Sequence, residues 1–153
     1  SNTLLVELTA SAPASVAQAS LAPGTEGLLR QTAAHLSKML EGASIGGFPG
    51  FEPPKDDKEY RRRIKDQDYG PEDVNGWIKE INNFLGQIAK KNTGLTLEEV
   101  LQRQGSTPAE IDSFVKALQQ VHYAARGMSG YGVNPQNVLT LESLMRVLGV
   151  VPW

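Results

Sequence analysis

The chain has 153 residues, no cysteine and a formal net charge of −2. That length suits one domain with a substantial hydrophobic core. The missing thiols exclude disulfides, thiolate nucleophiles and Cys-ligated zinc, and the near-neutral charge gives no general attraction to nucleic acid or anionic membrane.

Apolar residues make up 40% and charged residues 21%, ordinary values for a soluble globular chain. No run approaches the ~18 apolar residues of a bilayer span. The composition leaves cytoplasm and export both open. Residues 1–24 read as a flexible or partner-docked N-terminal segment. Positions 9–24 are mostly Ala, Ser, Pro and Thr without periodicity, while Leu4–Leu8 has the pattern of a short strand. In composition this segment is similar to the tails of bacterial exported proteins. Residues 25–153 read as a single helical domain.

The first predicted helix runs from Thr25 to Glu41, with Thr25 as cap, Leu28, Leu29, Leu36, Met39 and Leu40 on one side, and Gly42 as the stop. A Gly/Pro-rich loop around Phe48 and Phe51 follows, then a short charged helix over Asp56–Lys65 anchored by Tyr60 and Ile64. Pro71 opens the strongest pattern in the chain. Val74, Trp77, Ile78, Ile81, Phe84, Leu85 and Ile88 recur at steps of three and four, which predicts the central helix. Lys90 and Lys91 complement its C-terminal dipole.

Two capping boxes come next, Thr96-Leu97-Glu98-Glu99 and Thr107-Pro108-Ala109-Glu110. Gly105 between them supplies a left-handed stop, and Pro108 suits a first helical position. Leu97, Val100 and Leu101 face inward on the first helix. Ile111, Phe114, Val115, Leu118, Val121 and Ala125 do so on the second, which is expected to end at Arg126 before Gly127. A loop with Gly127, Gly130, Gly132 and Pro135 leads to a final helix over Thr140–Leu148, stopped by Gly149, and an apolar tail, Val150–Trp153. The expected fold is all-α, a compact bundle of about five or six helices with Gly/Pro-rich loops.

The stretch Leu95–Leu118 resembles the DNA-binding helix-turn-helix of bacterial regulators, with Gly105 as turn glycine and Ile111 and Phe114 at the inter-helix contact positions. That resemblance implies nucleic-acid binding through the second helix. The sequence departs from it in two places. Leu101 stands where the family has a small residue. The helix also opens with Glu110 and Asp112, where phosphates and base edges would call for Arg, Lys, Asn or Gln. Only Lys116, Gln119 and Gln120 have suitable chemistry, so the corner reads first as scaffolding.

The run Arg61-Arg62-Arg63-Ile64-Lys65 is a second candidate contact for nucleic acid, acidic lipid or an acidic partner, but Asp56, Asp57, Glu59, Asp66 and Asp68 cancel most of its field. Asp66–Trp77 fails as a calcium loop, with Pro71 at the sixth position and Trp77 at the twelfth. No P-loop, nucleophile elbow, HExxH or dinucleotide fingerprint is present. The sequence therefore offers no metal, cofactor or catalytic set. His122-Tyr123 with Arg126 is the one local cluster of titratable side chains beside a Gly-rich loop. Aromatics and Met in loops remain: Phe48, Phe51, Met128, Tyr131 and Trp153. These point to a non-enzymatic protein-interaction domain, an adaptor, effector module or assembly component. Its anchors would be Phe48, Phe51, Tyr131 and Trp153, and Arg61, Arg62 and Arg63 would steer the approach. The alternative is a nucleic-acid-binding protein using segment 95–118 or the basic face 61–65.

Overall fold

The computed structural model describes residues 20–41, 55–56, 58–59, 62 and 71–153. The chain is all-α. Among the described residues it forms α1 (Thr25–Glu41), α2 (Pro71–Lys91), α3 (Leu97–Gln104), α4 (Pro108–Met128) and α5 (Pro135–Val147), with a 3₁₀ turn at Ser129–Tyr131 before α5. Leu4–Leu8, the Phe48 and Phe51 loop and most of the Asp56–Lys65 segment lie outside the described residues.

The central role expected of the Pro71 helix holds. Helix α2 packs against α1 on one side and α5 on the other, and α4 touches those same two helices from across the bundle. Val74, Ile78, Ile81, Leu85 and Ile88 are buried along its length; Trp77 is only half-buried, with the Lys38 ammonium 6.0 Å from its ring. Burying each such side chain contributes about 1.5–3 kcal/mol, so this stripe dominates assembly.

Directional bonds then set where the neighbours sit. Asn92, buried just past the end of α2, donates through Nδ2 to Thr25 Oγ1 and Ile88 O, both at 3.0 Å, and accepts Ala22 N–H at 3.2 Å. Thr25, expected as the cap, is instead the first residue of α1, with its hydroxyl accepting from Asn92, and Leu21 already packs on the core. Asn75 does similar work at the other end of α2. It donates to Gly132 O at 2.9 Å and accepts Asn134 N–H at 2.7 Å, which holds the lead-in to α5.

Both capping boxes form as the sequence requires, with Thr96 paired to Glu99 and Thr107 to Glu110. The Thr96 backbone N–H, bonded to the Glu99 carboxylate, holds that group below the ordinary carboxylate range. Gly105 (φ 98°) closes α3, and Ser106 N–H reaches Leu101 O while Gly105 N–H reaches Gln102 O, a Schellman arrangement. The end of α5 repeats it. Val150 N–H bonds Met145 O and Gly149 N–H bonds Arg146 O. A Cβ on Gly149 (φ 75°) would stand 2.9 Å from Thr96 Cγ2, and Leu148 O accepts Leu97 N–H at 2.8 Å. The end of α5 is thus fastened to the start of α3.

Two sequence-based boundaries are corrected. Helix α4 continues through Gly127 to Met128, because Met128 is buried and its packing offsets the roughly 1 kcal/mol cost of a helical glycine. Helix α5 begins at Pro135, five residues before Thr140. Asn134 is its cap, with Oδ1 accepting Gln136 N–H at 3.0 Å, and Pro135 takes the first position.

Asn92→Ala should lower the unfolding free energy by about 2–4 kcal/mol, since it strands Ala22 N–H and the Thr25 hydroxyl in buried surroundings. Urea denaturation followed by circular dichroism measures this. A change below ~1 kcal/mol would show that the α1 lead-in is not held by this side chain.

Candidate functional site

The capped corner comes first, because its sequence suggested DNA. Leu101 and Phe114 are fully buried and Ile111 nearly so, which makes the α3–α4 crossing part of the core. The suitable polar residues on α4 are largely engaged. Lys116 pairs with Asp112 at 3.0 Å, and Gln119 Nε2 donates to Val151 O at 2.8 Å. What α4 presents here is a packed helix carrying an internal ion pair.

The loop anchors separate from one another. Phe48, Phe51, Arg61 and Arg63 lie outside the described residues. Arg62 is exposed, its guanidinium 3.8 Å from Glu59. Met128 is a core residue of α4, correcting its reading as a loop side chain. Tyr131 is half-buried in the 3₁₀ turn and packs against the core. Trp153 retains 40% exposure at the end of the tail.

Large apolar side chains remain exposed on α5 and the chain that follows it: Leu139 at 54%, Val147 at 70% and Val151 at 74%, together with Trp153. Leu139 and Val147 are eight residues apart, about 12 Å along the helix and within a quarter turn of one another. The exposed positions before and between them are Pro135, Gln136, Thr140, Ser143 and Arg146, so Arg146 is the one exposed charge on this face. Other helices look different. The exposed side of α2 has Glu72, Asp73, Lys79, Glu80, Lys90 and Lys91. The sequence did contain this signal, an apolar pair spaced for one helix face with Arg146 the one exposed charge between them. It was hidden by starting the helix at Thr140, which left Leu139 in a loop.

The inner side of α5 meets His122. That ring is fully buried on α4, and Nε2 lies 3.3 Å from Glu142 Oε2. The approach is not aligned as a hydrogen bond, and neither ring nitrogen has a hydrogen-bond partner among the described residues. Glu142 Oε1 also sits 3.7 Å from Arg146, while Arg126 stacks 5.2 Å from the Tyr123 ring. Burial holds the His122 pKa below its ordinary value of 6.5; the Glu142 carboxylate opposes the shift, and Arg126 and Arg146 add to it. A general base must reach the proton it removes, and this ring has no exposed surface to do so. The described residues hold no group of three metal-ligating side chains, and none of their helices is long and apolar enough to cross a membrane. No protein-family model, curated protein or solved structure matches this chain.

A neutral buried histidine binds fewer protons folded than unfolded, so its contribution to stability is complete above pH 6.5 and is lost as pH falls below it. Between pH 7.5 and 5.5 the unfolding free energy should therefore decrease, at no more than about 1.4 kcal/mol per unit for this one site. His122→Gln should flatten that part of the profile. Equal profiles for the two proteins would place the pH dependence elsewhere.

Proposed function

We propose that the chain is a non-enzymatic helical interaction domain that binds another protein through the outer face of α5 and the exposed C-terminal residues Val151 and Trp153. The observation that carries this reading is the exposure of Leu139 and Val147 on a helix face whose other exposed positions are neutral except for Arg146. Apolar side chains grouped on a surface, with few charged residues among them, are what the centre of a protein–protein contact requires. The chemistry also describes the partner. It brings its own apolar side chains and neutral hydrogen-bonding groups, because α5 offers a charged partner little besides Arg146. Phe48, Phe51 and the Arg61–Arg63 run lie outside the described residues, and the proposal does not rest on them.

Both anchors point to solvent, so Leu139→Asp and Val147→Asp should change stability by less than about 0.5 kcal/mol. Each should weaken a partner association at least tenfold, as measured by cross-linking and quantitative retention on the immobilised domain. Lys79→Glu, on the charged face of α2, should leave that association intact. Retention unaffected by both α5 variants would remove this face from the function. Salt-sensitive binding of random duplex DNA, lost on neutralising Arg61–Arg63, would favour the nucleic-acid reading instead.

A further inference from the structure

We infer that the buried His122 ring is an acid-sensitive latch between α4 and α5, so that acidification loosens the turns of α5 around Glu142. The geometry supplies a neutral ring with no room for a second charge. His122 has no exposed surface, and both ring nitrogens lack hydrogen-bond partners among the described residues. Protonation would turn both nitrogens into donors. One acceptor is close, Glu142 Oε2 at 3.3 Å, and that carboxylate already faces Arg146 at 3.7 Å.

The surrounding charges do not compensate. The groups acting on the ring are Glu142 and Arg146 from α5 and Arg126 from its own helix, two cations against one anion. Among the described residues, α1, α2 and α3 add no charged group that acts on it. Tyr123, next in sequence, lies under the Arg126 guanidinium. An imidazolium is therefore better solvated in a state that admits water.

The opening belongs on the α5 side. Glu142 is the partly exposed member of the pair, with 21% of its side chain accessible against 1% for His122. Helix α4 is clamped from behind by α1 and by the capped corner with α3. Helix α5 is tied at its start by Asn75 and Asn82 and at its end by Leu97 N–H on Leu148 O, so the turns around Glu142 are the part left to move. The latch needs no partner. Its consequence for binding rests on the proposed function, since α5 also carries the exposed face that acid would disturb.

Amide hydrogen exchange on the full chain, corrected for intrinsic rates, tests this from pH 7.5 to 5.5. The opening equilibrium of the α5 amides around Glu142 should rise by up to about tenfold over that range, the limit for one proton taken up below pH 6.5. Amides of α1 and α2 should change less. His122→Gln should abolish the rise, and His35→Gln, at the other histidine, half-buried on α1, should keep it. Glu142→Gln should also keep it and extend it to lower pH, because the group favouring the charged ring is gone. Should His122→Gln fail to fold, the ring resonances of His122 in the unaltered protein decide. They must titrate below pH 6.5, together with α5 amide shifts. A ring titrating at or above 6.5 overturns the latch, as does a rise shared equally by all helices or retained without His122. Because no partner is involved, failure here leaves the α5 contact face to be judged by its own variants.

Discussion

Helix α2 is the constraint on which the rest of the structure depends. Its apolar stripe gives α1 and α5 a common surface to bury, and that burial is the main source of cohesion. Burial alone is non-directional, however, and would permit helices to slide. Asparagines on and just beyond α2 remove that freedom. Asn75 fixes the lead-in to α5, Asn82 Nδ2 donates to Asn137 O at 3.1 Å within its first turn, and Asn92 fixes the lead-in to α1. Asn75 and Asn82 are two turns apart and so project toward the same neighbour. Apolar side chains decide that the helices associate, and the amides decide at what height.

This division explains what the sequence made legible. Periodicity located α1 and α2, because each keeps one apolar face over many turns. The caps located α3 and the start of α4, because Thr96, Glu99, Thr107 and Glu110 bond only within their own turns. The amide bonds join residues 55 to 70 positions apart, and no local pattern announces them. The same limit applies to His122 and Glu142, which are twenty residues apart and meet only when α4 and α5 pack. His122 was visible as a histidine on a helix; its meeting with Glu142 was not.

The region between α4 and α5 shows where a local signal misleads. Gly127, Gly130, Gly132 and Pro135 look like one long breaker. In the structure they do three jobs: Gly127 stays helical, Gly132 makes the left-handed turn, and Pro135 starts a helix capped by Asn134. The pair Asn134-Pro135 is as good a helix start as Thr107-Pro108. Its neighbours obscured it, because glycines upstream make any cap look like part of a loop. That displaced start in turn concealed Leu139, the apolar residue at the upper end of the exposed α5 face.

Helix α5 thus has a division of labour that follows from its sequence. Val138, Leu141 and Met145 hold it to the core, Glu142 meets His122 of α4, and Arg146 lies outward beyond it. Nothing charged remains for the outer face over its first three turns. A surface helix ordinarily spends its charges outward, where they are hydrated at no cost and keep molecules apart. Placing an acid beside a buried histidine and leaving Leu139 and Val147 in water reverses that economy on both faces. Each reversal is unfavourable for the isolated domain. Both become intelligible if α5 is the helix through which the domain meets something else, with an inner contact that responds to acid and an outer one that waits to be covered.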